Sequence, residues 1–336
     1  MNFMIIGVGA IGKRHLQSLI ELDGKANFYL VDPIFNSIKK NKINNFLGVK
    51  SIHSSKKIFF YENINDWIGQ NITLDLCIIA TNSDNRFFIL KKIISSVSIK
   101  NIILEKFLFN KLSDYNEALR ICNSKSNSIF VNQWISQSSK LRNIFDKFKN
   151  YKLDFMVTGV EWGMACNIVH YIDMVRYFKI KNMNFPKIVK ANLSPVIRPA
   201  KRSGFYEVYG DISIEYGKHS LYVSCKEGNF DVGSHPSGIN IEIKAKKFKN
   251  RFIKFNLKSD MIEGLQNING KVSHFSEKIE LMSQLTGNVF ESLNKNKKIY
   301  LPTLEQSIRQ HLIICKLFSK HFKKIMKTKN GICPVT

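Results

Sequence analysis

The feature that constrains this chain most is its beginning, M-N-F-M-I-I-G-V-G-A-I-G-K-R-H, Met1 to His15. An apolar run, Phe3–Ile6, ends in three glycines spaced G-x-G-x-x-G, and apolar residues then recur at Ile11, Leu16, Leu19 and Leu22 with helical spacing. A strand turning into a helix needs glycine for a different reason at each place. Gly7 permits the sharp exit from the strand, Gly9 offers bare backbone to a diphosphate, and Gly12 lets the helix lie close on the sheet. The next strand, Asn27–Val31, ends at Asp32, about 20 residues beyond Gly12, as a dinucleotide-binding fingerprint requires. The first helix amides, near Ala10 and Ile11, point at a diphosphate whose charge the helix dipole favours. Asp32 accepts hydrogen bonds from an adenosine ribose and repels a 2′-phosphate, and Pro33 adds no basic group, so the expected cofactor is NAD rather than NADP.

Strand-like and helix-like stretches then take turns. Ile58–Tyr61, Leu74–Ala80, Asn101–Glu105 and Ser128–Val131 read as strands; Asn63–Ile68, Arg86–Val97 and Ser113–Asn123, with Ser113 as N-cap, read as helices. This alternation predicts an α/β chain that begins as a doubly wound parallel sheet of Rossmann type. After Gln133 the pattern changes. Ser138–Lys149 (helix), Lys152–Glu161 (strand) and Met164–Phe178 (helix) lead into strands Lys187–Leu193, Tyr206–Tyr216, His219–Lys226, Ile239–Lys246 and Arg251–Lys258 with no helix between them. That succession predicts a C-terminal α/β domain with an open, mostly antiparallel sheet. Helices over Glu277–Leu293 and from Thr303 to His321 are expected to close the chain. The expected domains are 1–125, for NAD binding, and 126–336, for substrate binding and oligomerisation, with the last helix packing back on the first domain.

Lysine and arginine number 51 against 26 acidic residues, a formal net charge of +25. The lysines are interleaved with Asn and Ile, as in Lys39–Asn45, so the excess reads as composition and not as a nucleic-acid surface; attraction of an anionic substrate is the alternative. The densest stretch, Lys316–Lys329, reads as a solvated helix face. No apolar run approaches the roughly 20 residues of a membrane span, and the opening has no signal-peptide pattern. Six cysteines lie far apart with no C-x-x-C pair, which argues against a metal site or a disulfide framework, and Cys77 falls in an apolar run. The expected protein is cytoplasmic, without metal, nucleic acid or membrane.

The glycine triplet continues to His15 as G-x-G-x-x-G-x-x-H. Ala80-Thr81-Asn82 follows the fourth strand, Glu105-Lys106-Phe107 ends the next, Gly163–Asp173 carries His170 with Asp173 three residues on, and Leu301–Glu305 precedes the last helix. In this order, over nearly the whole chain, these pieces resemble the glucose-fructose oxidoreductase / inositol dehydrogenase (Gfo/Idh/MocA) family of NAD(P)-dependent enzymes. Against that family's pattern, Asn82 and Phe107 replace prolines, Arg86 stands where histidine is frequent, and Cys166 takes the place of an aspartate. Trp162–Asn167 is similar to a subgroup associated with bacterial surface-sugar pathways. The resemblance implies hydride transfer between the nicotinamide and a sugar, cyclitol or sugar-derivative hydroxyl or carbonyl. It also implies a homodimer or homotetramer formed through the outer face of the second-domain sheet.

Hydride transfer needs a base for the hydroxyl proton and a group that stabilises developing charge. Lys106 stands at the carboxyl end of a strand, where open parallel sheets bind ligands, and the resemblance implies that its ammonium bonds the reacting oxygen and the cofactor. Glu105, Thr81 and Asn82 join it as cofactor-binding residues. His170 is the expected general acid/base, because imidazole titrates near neutral pH. Cys166, His170 and Asp173 share one helix face at i, i+4 and i+7, so Asp173 is expected either to orient His170 or raise its basicity, or to make a structural contact. Asn167 is expected to bond substrate. Arg198, Lys201, Arg202 and Tyr206, read as a loop, either meet a substrate anion or merely solvate it. A second reading, motivated by Cys166 and the replaced prolines, is a catalytically silent nucleotide-sensing regulator or partner-binding protein.

Overall fold

The computed structural model describes residues 1–37, 43–49, 53–124, 128–178, 185–228 and 238–336. The chain forms two compact units, each assembled from separate segments: Met1–Phe109, Glu117–Asn132 and Leu281–Leu304 in the first, Asn110–Asn116, Gln133–Glu280 and Glu305–Thr336 in the second.

Strands β1 (Asn2–Ile6), β2 (Ala26–Val31), β3 (Lys56–Tyr61), β4 (Leu74–Ile79), β5 (Ile99–Leu104) and β6 (Ser128–Val131) make a parallel sheet in the order β3-β2-β1-β4-β5-β6. Helices α1 (Ala10–Ile20), α2 (Ile43–Leu47), α3 (Ser83–Ser96) and α4 (Leu112–Ser124) stand between the strands. The expected boundary at 125 falls before β6, which pairs with β5. The order reverses direction at β1, which lies between β2 and β4 and makes the switch point where such sheets bind ligands. Continuous apolar runs suit strands covered on both faces, and Phe3, Ile5, Phe28, Leu76 and Ile78 are fully buried.

Register explains why residues scattered in sequence meet. Val31, Ile6, Ile79, Leu104 and Val131 form one row across the sheet. The residues that follow them are Asp32, Gly7, Ala80, Glu105 and Asn132. The chain returns to this unit with α7 (Met282–Asn294), which lies on α1: Gly287 N–H donates to Ser18 Oγ at 2.8 Å, and a Cβ on Gly287 would stand 2.9 Å from the Ser18 carbonyl. The last helix, α8 (Leu304–Met326), has all but its first residue in the second unit.

In the second unit α5 (Ser139–Asp146), β7 (Leu153–Val160) and α6 (Met164–Arg176) precede seven strands: β8 (Lys187–Pro199), β9 (Tyr206–Tyr216), β10 (His219–Lys226), β11 (Ile239–Ala245), β12 (Arg251–Lys258), β13 (Met261–Ile268) and β14 (Lys271–Lys278). The sheet order is β14-β13-β12-β11-β7-β10-β9-β8, antiparallel except for β7 with β10. Helix α6 covers β9 and β10.

Three local expectations are corrected. Glu277 belongs to β14 and not to a helix, because Met261–Lys278 folds as a hairpin through Asn269-Gly270, both at positive φ. Ser113 lies inside α4, not at its cap, and its hydroxyl donates to Asp114. Residues near Asn63 form only a short 3-10 turn, Ile64–Asp66, which Asn63 and Asp66 cap reciprocally.

Candidate nucleotide site and catalytic residues

Each opening glycine meets a distinct steric demand. Gly7 has φ +87°, and a Cβ there would lie 2.8 Å from Thr81 N. A Cβ on Gly12 would lie 2.0 Å from the Gly7 carbonyl, so only glycine lets α1 approach the sheet. Gly9 is the opposite case: a Cβ there would meet nothing within 4 Å, which leaves open space at the helix start. Gly9 caps α1 without a side-chain bond, and the first turn holds no acidic residue. The amides at Ala10, Ile11 and Gly12 therefore face the site with neither a capping side chain nor a competing carboxylate.

Asp32 closes one side. Its Oδ2 accepts from Val8 N–H at 2.6 Å and its Oδ1 from Ile34 N–H at 3.0 Å. The two amides fix the carboxylate and leave it further lone pairs for a ribose diol. On the other side Asn82 is the N-cap of α3 but makes no side-chain cap bond, and Thr81 Oγ1 is buried with no hydrogen-bond partner. An orphan hydroxyl beside a phosphate cradle fits a bound dinucleotide, whose amide or ribose would satisfy it.

At the end of β5, Glu105 Oε1 accepts from His15 Nε2 at 2.9 Å and from Asn132 Nδ2, while His15 Nδ1 bonds Thr286 Oγ1 at 2.8 Å. Burial pushes the Glu105 carboxyl up. The His15 and Asn132 hydrogen bonds and the charges of His15 and Lys106 outweigh that and hold it below its ordinary value. Glu105 Oε1 thus braces from inside the strand end that carries Lys106. The Lys106–Phe107 peptide is cis. Arg86, on α3, donates to the carbonyls of Thr81, Phe107 and Leu108.

A folded-state value below 4.5 means that Glu105 contributes stability fully above pH 4.5 and loses it as pH falls through the lower folded value. Glu105→Gln should cost about 2 kcal/mol at pH 7. In urea unfolding at pH 7 and at pH 4, the gap between wild type and variant should narrow at the lower pH. A gap that widens contradicts this placement.

In the second unit β7 ends in a tight turn, with Glu161 at φ 51° and Gly163 at φ 71°, where α6 begins. Glu207 Oε2 accepts from Ala165 N–H at 3.1 Å, Trp162 Nε1 donates to the Ser224 carbonyl at 2.9 Å, and Asn167 Nδ2 donates to the Trp162 carbonyl at 3.1 Å. Asn167, expected at the substrate, thus also stitches its own turn. Cys166 Sγ donates to the Gly163 carbonyl at 3.5 Å. His170 is buried at 6% exposure, edge-on to Trp134 with ring centroids 6.2 Å apart.

Asp173 makes the structural contacts that were the alternative to orienting His170. Its buried carboxylate accepts from Arg176 Nε at 2.5 Å and from Gln310 Nε2 at 3.2 Å, and is committed there instead of to the His170 ring. Gln133 Nε2 donates to the Val169 carbonyl at 2.6 Å and to Gln310 Oε1 at 2.7 Å, and Ser307 Oγ donates to Gln133 Oε1 at 2.5 Å. A buried polar network therefore ties α6 to α8 behind His170. The i, i+7 spacing placed Asp173 on its face and the i, i+3 spacing offered Arg176 as a partner, but Gln310 arrives from 137 residues away and no local signal announced it.

Arg198 lies within β8 and is spent on Glu161 Oε1 at 2.9 Å and the Gly228 carbonyl at 2.8 Å. Tyr206 starts β9 and its ring lies against Phe322, so these two members of the expected loop have structural work. Among the described residues no three His, Cys, Asp or Glu side chains gather as a metal site, and no helix is long and apolar enough to cross a membrane.

The fold is shared with solved structures of low identity. An oxidoreductase from Agrobacterium radiobacter in complex with NAD+, L-tartaric acid and magnesium is 11% identical, with TM-score 0.66 and 94% of each chain covered. KijD10, a 3-ketoreductase from Actinomadura kijaniata in complex with TDP-benzene and NADP, is 10% identical, with TM-score 0.64, covering 94% of this chain and 95% of that one. The transcriptional regulator Gal80p from Kluyveromyces lactis is 13% identical, with TM-score 0.65, covering 97% and 92%. No curated protein matches the chain. Residues 1–133 match the model of the oxidoreductase family GFO_IDH_MocA, NAD-binding Rossmann fold, and the glycine loop and Asp32 lie within that match.

Proposed function

We propose that this protein is an NAD-dependent oxidoreductase that interconverts a hydroxyl and a carbonyl on a sugar, cyclitol or sugar derivative. The observation that carries the reading is the open, uncapped start of α1 at Gly9 with Asp32 fixed by two amides beside it. Ala10, Ile11 and Gly12 amides hold the diphosphate, Asp32 the adenosine ribose, and Thr81 and Asn82 the nicotinamide end. When bound there, the nicotinamide supplies or accepts the hydride. Lys106 donates a hydrogen bond to the reacting oxygen and stabilises its developing charge. His170 takes or returns the hydroxyl proton. Asp173 serves through Arg176 and Gln310 to fix α6, and a role in bacterial surface-sugar synthesis follows the Trp162–Asn167 resemblance. The solubility and compartment expected from the sequence remain those of a cytoplasmic enzyme.

Assembly is part of the reading. Tyr222 and Met156 pair across strands and are exposed together on the sheet of the second unit, which suits contact with a second copy.

One observation favours a silent regulator: the fold likeness extends to Gal80p. Screening sugars and sugar nucleotides for NADH formation or consumption at about 340 nm separates the two, since the dihydropyridine ring of the reduced nicotinamide absorbs there and the oxidised pyridinium does not. Turnover supports the enzyme; NAD binding with no turnover across the screen supports the regulator. Asp32→Ser should raise the NAD Kd about tenfold and narrow the preference over NADP, read by calorimetry with both cofactors. An unchanged preference would remove Asp32 from the ribose site.

A further inference from the structure

Arg86 is a charged residue of the nucleotide-binding unit that dinucleotide binding leaves unexplained. It sits in the first turn of α3 and is 1% exposed. Its guanidinium gathers carbonyls from two loops: Nη2 donates to Thr81, just past β4, and Nη1 donates to Phe107 and, at 3.1 Å, to Leu108, just past β5. These strands are neighbours in the sheet. A planar fork with five donors in fixed directions can hold two loops at once; an ammonium is a single point on a flexible stem. Burying such a charge is costly, and the hydrogen bonds from Nη1 and Nη2 to these carbonyls offset part of that cost.

Lys106 is held from both sides along the chain. On its amino-terminal side Glu105 is held by His15 and Asn132; on its carboxyl-terminal side the backbone of Phe107 and Leu108 is held by Arg86. We propose that Arg86 is a positioning residue that clamps the Lys106–Leu108 loop to the Thr81 strand end and thereby sets where the Lys106 ammonium is presented. This deepens the oxidoreductase reading and rests on it for the role of Lys106. Arg86 itself touches backbone, so its effect belongs in kcat and in the behaviour of Lys106, not in dinucleotide affinity.

The test uses full-length wild type, Arg86→Met and Arg86→Lys. Trace amine acylation between pH 7 and 11 is read by peptide mass spectrometry at Lys106, with exposed Lys100 as internal reference, and NADH binding is read by calorimetry. Arg86→Met is expected to change the Lys106-to-Lys100 labelling ratio at least threefold and to displace its pH profile. The NADH Kd should stay within about threefold, and kcat on a substrate from the screen should fall about 10²-fold at similar KM. Arg86→Lys is expected to lie between the two. A wild-type labelling profile in folded Arg86→Met overturns the clamp. Should Arg86→Met fail to fold, a wild-type profile and kcat in Arg86→Lys overturn it instead. Labelling needs no turnover: a wild type inactive on every sugar defeats the oxidoreductase reading while the clamp is still decided, and an active wild type with unmoved labelling defeats the clamp alone.

Discussion

Replacing Lys106 by methionine is expected to lower kcat/KM by about 10³-fold while NADH still binds within about tenfold of wild type. The size follows from what the ammonium does. A charged donor aimed at an oxygen that gains charge in the transition state is worth several kcal/mol in a site shielded from water, and each factor of ten corresponds to about 1.4 kcal/mol. Methionine keeps the length and apolar stem of lysine but removes the donors and the charge. The proposed diphosphate and adenosine contacts lie at α1 and Asp32, so most of the dinucleotide's affinity is expected to survive. Lys100→Met is the control: Lys100 pairs with Asp75 at 2.8 Å on an exposed surface and should leave turnover unchanged. Steady-state kinetics with the best substrate from the screen, beside calorimetry with NADH, measures both quantities. If Lys106→Met keeps wild-type turnover, the reacting oxygen is served by another group and the proposed mechanism fails.

The parts of this site that sequence reveals are those whose cause is local. Gly7, Gly9, Gly12 and Asp32 are legible because a strand, a turn and a helix follow one another at fixed spacing, and the fold places them as that spacing requires. Strands β9, β10 and β12 are legible for the same reason, since their apolar patterns and the turn at Gly217 are contiguous. Hairpin β13–β14 was equally local, announced by Asn269-Gly270, but its strands carry polar residues at the sheet's edge and lack the apolar run of the others. What sequence does not reveal is partner choice across long separations. His15 meets Glu105 and Thr286, 90 and 271 residues away, and Asp173 meets Gln310, 137 residues away. Helical spacing told which face Asp173 would occupy. The i, i+3 spacing in α6 also offers Arg176 as a partner, but the arrival of Gln310 depends on how α8 packs, which no spacing in α6 encodes.

The glycines also allow binding and folding to be pulled apart. Gly9→Val is expected to cost no more than about 1 kcal/mol, the difference between glycine and an apolar residue at an N-cap, because its Cβ enters open space and its backbone, at φ −69° and ψ −164°, is extended. The same side chain occupies the space a diphosphate needs and blocks its approach to the helix amides. Two such charge-assisted bonds are worth about 3 kcal/mol or more, so the NAD Kd should rise at least about 10²-fold. Gly12→Val should behave in the reverse order. Its Cβ would stand 2.0 Å from the Gly7 carbonyl, backbone against backbone, so α1 must lift from the sheet at a cost of about 3 kcal/mol or more. Thermal melting should then drop by several degrees for Gly12→Val and move much less for Gly9→Val, while calorimetry shows cofactor affinity lost in both. A Gly9→Val protein that melts like wild type and also binds NAD like wild type would mean that the open space at the helix start serves no diphosphate. A loss of stability at Gly9 as large as at Gly12 would mean that the space is filled in solution. Only the pairing of a nearly intact melt with lost binding at Gly9, and a lowered melt at Gly12, assigns one glycine to the ligand and the other to the fold.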